Sequence, residues 1–200
     1  MNTFRLQAIP GELAWENPPV HWEVKPEQSL TITAGEKTDL FTSPQGDFTI
    51  NNSPRALFLP AENFLLRAKV TVDFCGTFDA GVLILYDNQD FWAKLCFEFS
   101  PQQQPMVVSV VNRTLSDDCN SVPIAGNAVF LRIAKSEQTF AFHFSTDGRF
   151  WQMVRYFTLG ARRNLRAGFS CQAPMGTGCT AVFAEIAYTT GKLKDLRNGE

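Results

Sequence analysis

Apolar and polar residues alternate with a period of two along most of this chain, and this pattern constrains the fold more than any other feature. In residues 64–74, every second side chain from Phe64 to Phe74 is apolar, and the positions between include Arg67 and Lys69. Side chains of a β-strand point alternately to the two faces of a sheet, so the pattern predicts a strand with one buried face. The chain also contains 18 phenylalanines, and aromatic residues suit the half-buried surface of a sheet.

The same reasoning predicts further strands, and no segment shows helical periodicity. These strands cover residues 81–86, 91–99, 106–113, 128–134, 139–145, 151–158, 165–172 and 179–189. Turn residues separate them, and Asp147-Gly148 is the strongest hairpin signal because this pair tolerates a positive φ. Short strands at regular spacing predict an all-β protein, an antiparallel two-sheet β-sandwich. We expect residues 1–200 to form a single domain, with the charged residues 192–200 as a frayed tail.

Composition excludes several classes of function. Hydrophobic residues make up 44% of the chain, which is too many for a disordered protein, and the formal net charge is -2. This balance lacks the basic surface that nucleic-acid binding requires, so we expect no nucleic-acid partner. No signal peptide or membrane-spanning apolar run is evident, which predicts a cytoplasmic protein without a membrane partner. Five cysteines without a C-x-x-C pair favour reduced thiols, although Cys171 and Cys179 are placed to form a cross-strand disulfide.

Six sets of motifs, in order along residues 13–187, resemble those of one protein family. They are WENPP at 15–19, LTI at 30–32 with TDLF at 38–41, FDAGVLI at 78–84, WAK at 92–94 with Glu98, VVNR at 110–113 with Ser116-Asp117, and QAP at 172–174 with Gly176 and Gly178. The family is a domain of unknown function named after a regulation-of-enolase protein, in the concanavalin A-like lectin/glucanase superfamily. The resemblance implies a concanavalin A-like jelly roll with one concave sheet, and it implies no established activity. Asp118 departs from the family, which usually has an aromatic residue there.

Polar residues on the outward faces of the central strands are the candidate ligand-binding residues. Trp92 and Tyr86 offer ring faces for stacking, and Arg113 offers a guanidinium for a carboxylate or phosphate. The complete predicted set is Tyr86, Trp92, Lys94, Glu98, Arg113, His143 and Gln172. If their strands are neighbours, these residues form one band across the concave sheet. The alternative is a solvated sheet face on which Lys94 and Glu98 form cross-strand ion pairs.

The same strands offer little for catalysis, and we predict no catalytic residues. Strand-borne glucanases carry paired carboxylates at short even spacing, whereas here Lys94 and Cys96 occupy the positions before Glu98. A second carboxylate is available only from Asp117 or Asp118, which we expect in a loop. The two histidines and scattered cysteines lack the spacing of a metal site. We therefore predict no metal and no cofactor, with loop aspartates as the open alternative for calcium.

These observations predict a non-catalytic binding domain that recognises a carbohydrate or a small polar metabolite on the concave sheet. The second hypothesis is a cytosolic protein-interaction or regulatory domain of sugar metabolism. The third is a sugar-active hydrolase that uses Glu98 with a loop aspartate. The sequence leaves the oligomeric state open.

Overall fold

The computed structural model describes residues 3–200, which form strands and turns without an α-helix in that range. The early strands are β1 (Thr3–Phe4), β2 (Leu13–Glu16), β3 (His21–Val24), β4 (Leu30–Gly35), β5 (Leu40–Thr42), β6 (Thr49–Asn51) and β7 (Arg55–Phe58). The middle strands are β8 (Phe64–Asp73), β9 (Ala80–Asn88), β10 (Phe91–Phe99), β11 (Pro105–Arg113) and β12 (Leu115–Pro123). The last are β13 (Ala128–Ser136), β14 (Thr139–Ser145), β15 (Gln152–Thr158), β16 (Arg166–Gln172) and β17 (Gly178–Thr190).

These strands build two large antiparallel sheets and a small hairpin. The first sheet has eight strands in the order β1-β2-β7-β16-β9-β10-β11-β12, and the second has seven in the order β15-β14-β13-β8-β17-β4-β3. Strands β5 and β6 pair with each other. The predicted all-β, two-sheet sandwich of jelly-roll type is confirmed.

The main core lies between the two sheets and is built from the apolar positions of the alternating strands. In β8, Phe64, Leu66 and Ala68 are fully buried, while Arg67 between them is exposed. All nine predicted strands are present, with ends within two residues of those expected. The period-two pattern therefore identified the strands that have one face in this core.

Strand β12 was not predicted, and the expectation that Asp117 and Asp118 lie in a loop is wrong. Both residues belong to β12, the edge strand of the first sheet, and Asp118 pairs with Val110 of β11. Most side chains of β12 are exposed on both faces. An edge strand of this kind buries no continuous face, so its sequence carries no alternation to detect.

The outer face of the first sheet holds a second apolar cluster beneath the β5–β6 hairpin. Leu40 and Phe41 of the hairpin pack against this cluster, whose sheet members include Ile84, Trp92 and Val110. The hairpin is tied to edge strand β12 because the Thr42 amide donates a hydrogen bond to Ser116 Oγ at 3.0 Å. One half of this face is therefore buried, although a sheet face turned away from the main core was expected to be open.

Residues 192–200, here called the C-terminal segment, lie on the outer face of the second sheet. His143 Nε2 donates to the Leu196 carbonyl at 2.8 Å, and the Arg132 guanidinium donates to the Gly199 carbonyl at 2.9 Å. These contacts were not expected of a frayed tail. They form because the buried side chains of Arg132 and His143 require hydrogen-bond partners.

The five cysteines are free, as the sequence favoured. Cys171 and Cys179 are buried close together, and the Cys171 thiol donates to the Cys179 carbonyl at 3.4 Å. Within residues 3–200 there is no helix of the length and apolarity needed to cross a membrane.

Candidate functional site

A cavity of about 320 Å³ opens on the outer face of the first sheet, beside the half that the hairpin covers. Its floor comes from β10, β11, β12 and β16, and its walls come from the hairpin and two loops. The residues that line it are Asp39, Phe41, Phe48, Ile50, Phe78, Lys94, Glu98, Val110, Asp118, Gln172, Pro174 and Met175. Polar groups on the floor and apolar groups on the walls are the usual composition of a small-molecule site.

Lys94 joins the floor of the cavity to the hairpin. Its ammonium lies 3.1 Å from Asp39 Oδ1 and donates to Gln172 Oε1 at 2.9 Å. The residue is only 2% exposed. Burial acts to lower the pKa of Lys94, but the neighbouring acidic groups, Asp39 above all, outweigh it and the pKa is raised. Lys94 therefore stays charged and is held by two partners.

Glu98 differs from Lys94 because its carboxyl group has no partner. The residue is 7% exposed and lines the cavity, and its carboxyl makes no hydrogen bond or ion pair with residues 3–200. Burial raises the pKa of Glu98 to about 8, Lys94 acts against this rise, and Asp118 and Asp39 add to it. At neutral pH the side chain is thus a neutral acid that faces an open space.

Gln172 and Asp118 complete the polar part of the floor. The Gln172 amide accepts from Lys94 and donates through Nε2 to the Phe78 carbonyl at 3.1 Å, which fixes its orientation. Asp118 stands on the exposed edge strand. Loss of water around its carboxyl raises the pKa of Asp118, and Lys94 acts in the opposite direction. The floor therefore places two carboxyl groups, from Glu98 and Asp118, around one ammonium that is already engaged.

Exposed apolar side chains form the rim. Phe41 and Phe48 of the hairpin region have ring centroids 6.1 Å apart. Met175 is 73% exposed, and Phe48 is 49% exposed. A contiguous group of exposed apolar side chains around a polar cavity is typical of a ligand-binding groove, and its burial by a ligand is favourable.

The loop that carries Phe78 is held by a buried aspartate. Asp79 accepts hydrogen bonds from the backbone amides of Cys75 and Gly76 at 2.8 and 2.7 Å. At Gly76 a Cβ atom would come within 2.8 Å of the Gly176 Cα, so a side chain there would push the two rim loops apart. Asp79 thus has a structural role, since it fixes the loop that carries Phe78 at the cavity.

Of the seven predicted ligand-binding residues, the structure brings Lys94, Glu98 and Gln172 together at this cavity. Trp92 lies on the same face but is fully buried, and its indole donates to the Gln89 carbonyl at 3.1 Å. Tyr86 is 4% exposed and lies against the Arg55 guanidinium, 4.3 Å from its ring centroid. The expectation that these two rings form an exposed stacking platform is wrong, because the second apolar cluster includes them.

Arg113 and His143 lie outside the cavity. Arg113 is exposed at the end of β11. It lies on the same strand face as Val107 and Val111, whose side chains face the main core, so it points away from the cavity face. His143 belongs to β14 of the second sheet and lies under the C-terminal segment. Burial and, to a smaller extent, the charge of Arg132 together lower the pKa of His143 to about 4. The single band of seven residues is therefore wrong as a geometric prediction, since it combined strands of two different sheets.

The sequence reasoning missed the residues that the hairpin and the edge strand supply. Asp39 and the rim residues Phe41, Phe48 and Met175 were not among the candidate ligand-binding residues, and Asp118 was placed in a loop. Nothing in the sequence shows that this hairpin folds back over the sheet.

A larger cavity of about 590 Å³ lies elsewhere and is a weaker candidate. Three of its four basic groups already have partners: the Lys135 ammonium donates to the carbonyls of Glu62 and Glu137, Lys192 pairs with Glu137 at 2.7 Å, and Arg162 donates to the Leu159 carbonyl at 2.8 Å. Its polar residues lie near the surface, where ion pairs contribute little.

The chain belongs to the DUF1349 family of proteins of unknown function, whose model matches residues 15–191. The predicted membership in a family of unknown function is confirmed, while the link to a regulation-of-enolase protein stays a prediction. No curated protein matches the sequence.

Solved structures share the fold. A functionally unknown protein from Saccharomyces cerevisiae is 20% identical with a TM-score of 0.82, and the match covers 90% of this chain and 96% of that one. The GH43 protein BlXynB from Bacillus licheniformis is 15% identical with a TM-score of 0.71, over 92% of this chain and 38% of that chain. An alginate lyase from Klebsiella pneumoniae is 14% identical with a TM-score of 0.55, over 85% and 84% of the chains. These likenesses concern the fold alone.

Proposed function

We propose that this protein is a non-catalytic binding domain that holds a carbohydrate in the cavity on the outer face of the first sheet. The observation that carries the proposal is the pairing of an apolar rim with a polar floor in a cavity of about 320 Å³. Sugars present apolar ring faces and hydroxyl groups, so they need both kinds of contact in one site.

The floor offers oriented groups for hydroxyls. Glu98 is an unpaired acid that donates a hydrogen bond when neutral and accepts one when ionised. Asp118 adds acceptor oxygens. The rings of Phe48 and Phe78 supply apolar faces on the walls. Proteins named for GH43 and for alginate lyase share the fold, which makes a sugar ligand a reasonable first choice but identifies none.

Thermal unfolding in the presence of mono- and oligosaccharides tests the proposal. A ligand at ten times its dissociation constant stabilises the protein by about 1.4 kcal/mol. For a chain of this length we expect the melting temperature to rise by about 3 to 6 °C. If no saccharide raises the melting temperature, the proposal is wrong.

A matched pair of phenylalanine variants locates the site. Phe48→Ala removes a rim ring at the cavity, whereas Phe150→Ala removes a ring that is also exposed but lies at the β14–β15 turn of the second sheet. We expect Phe48→Ala to weaken saccharide binding at least tenfold and Phe150→Ala to leave it unchanged. Equal affinities in both variants would place binding elsewhere on the molecule.

A further inference from the structure

We propose that the ligand of this cavity carries a protonated amine, as an amino sugar does, which pairs with Glu98 and Asp118. The inference rests on the proposed function and deepens it, because it names the class of saccharide. It follows from the distribution of charge around the cavity and from the absence of a partner for a deeply buried carboxyl group.

The cavity has an excess of acidic groups. Three carboxyl groups line it, from Asp39, Glu98 and Asp118, and Lys94 is the one cation among its described lining residues. The Lys94 ammonium is already bonded to Asp39 and Gln172. Neither Glu98 nor Asp118 forms an ion pair within residues 3–200, although Lys94 and, for Asp118, also Arg155 act on them at longer range. An anionic ligand would therefore meet two acidic groups, and the one lining cation already has two partners.

Glu98 is the group whose ionisation a bound cation would change most. It is 7% exposed and faces the cavity without a hydrogen bond to any residue from 3 to 200. The other titratable groups near it are Lys94 and Cys96 on its own strand, Asp118 on β12 and Asp39 before the hairpin. An ammonium in the cavity would favour the ionised form of this carboxyl, and the low dielectric of the site would strengthen the resulting ion pair.

The apolar walls suit the same class of ligand. Phe41, Phe48 and Phe78 all line the cavity. The face of an aromatic ring attracts a cation, and the contact also shields the pair of charges from water. A neutral sugar can only stack on these rings, whereas an amino sugar can stack on them and also place its ammonium against a ring face.

Proton release gives the proposal a distinctive signature. Burial keeps Glu98 protonated at pH 6.5, since its pKa is about 8. A bound ammonium favours the ionised carboxylate, so the carboxyl proton passes to the buffer as the ion pair forms. We expect about one proton to be released for each ligand bound.

Titration calorimetry with D-glucosamine, N-acetyl-D-glucosamine, D-glucose and D-glucuronate at pH 6.5 tests this. We expect D-glucosamine to bind at least tenfold more tightly than the two neutral sugars, and D-glucuronate to bind most weakly. The heat of glucosamine binding should change with the ionisation enthalpy of the buffer, which reports the released proton. Glu98→Gln should remove both the preference and the proton release, and Glu185→Gln, which changes an exposed carboxyl of the second sheet, should remove neither.

The outcomes separate the two proposals. If glucose and glucosamine bind equally well, the amine is not recognised and this inference fails while saccharide binding stands. If no saccharide binds, both proposals fail. Should Glu98→Gln not fold, Asp118→Asn on the exposed edge strand serves in its place, and an unchanged preference for glucosamine in that variant would also overturn the inference.

Discussion

At the scale of single residues, two side chains on the same face of a strand can have different roles because only one half of that face is covered. Lys94 and Trp92 are two positions apart on β10 and point to the same face, yet Lys94 lines the cavity and Trp92 is packed beneath the hairpin region. The sequence assigns both to one face correctly, because strand alternation is local. Which half of that face is covered depends on residues 39–51, and their return over the sheet is a tertiary contact.

Glu98 gives a prediction about stability and pH. Its pKa is about 8 in the folded protein, against an ordinary value near 4.5, so between these pH values the folded state holds a proton that the unfolded state has lost. Rising pH therefore lowers the free energy of unfolding in this window, by up to about 1.4 kcal/mol for each pH unit. Glu98→Gln removes the contribution. Urea unfolding of both proteins from pH 5 to 8 should show the variant gaining stability relative to the wild type as pH rises.

The difference between the two proteins isolates the Glu98 contribution. Groups such as His143 titrate in both, so their effects on the free energy of unfolding cancel in the comparison. Parallel stability curves over this pH range would show that Glu98 is ionised in the folded protein, and the charge balance drawn for the cavity would then be wrong.

At the scale of elements, nine of the ten strands from β8 to β17 were predictable from their apolar pattern, whereas the short strands β1 to β7 and the exposed edge strand β12 were not. Strand β14, with Phe140, Phe142 and Phe144 in the core, shows its alternation plainly. Strands β5 and β6 are three residues each, and β12 is exposed on both faces. The candidate site is built largely from these irregular pieces, and their position depends on contacts between residues distant in sequence. The sequence therefore predicted three of the four polar residues of the floor and none of the walls.

The C-terminal segment gives a prediction at this scale. It covers His143, whose neutral imidazole donates to the Leu196 carbonyl, and burial keeps the pKa of His143 at about 4. Removing residues 192–200 would expose the ring to water, and its pKa should rise toward about 6.5. An NMR titration of the two histidine side chains measures this, with exposed His21 of β3 as the internal reference.

Two point variants control this experiment. Lys194→Ala changes an exposed side chain of the segment and should leave the pKa of His143 low. Gly199→Ala should raise it, because Gly199 has a φ of +84° and a Cβ there would lie 2.8 Å from the Arg132 guanidinium, which displaces the segment. A low pKa for His143 in the protein without residues 192–200 would mean that the sheet itself, not the segment, desolvates the ring.

At the scale of the whole molecule, the pairing of distant strands makes the two sheets one unit. Strand β17 pairs with both β4 and β8, and β16 lies between β7 and β9, so the first and last parts of the chain are needed in each sheet. Such non-local strand pairs do not form independently of one another, because closing each long loop costs conformational entropy that only the packing of the complete core offsets. We therefore expect the predicted single domain to unfold in one cooperative transition.

Tryptophan positions allow that expectation to be tested. Trp92 lies in the apolar cluster on the outer face of the first sheet, and Trp22 of β3 in the second sheet packs against the main core. Variants that keep one of these two tryptophans, with the others changed to Phe, should each give the same urea midpoint by fluorescence as by far-ultraviolet circular dichroism. Agreement within each variant is the comparison that matters, since loss of a buried indole lowers stability by itself. A Trp92 transition at lower urea than the loss of the circular dichroism signal would instead show that the hairpin and its cavity open while the sandwich remains folded. Ligand binding would then be coupled to this local opening rather than to unfolding of the whole domain.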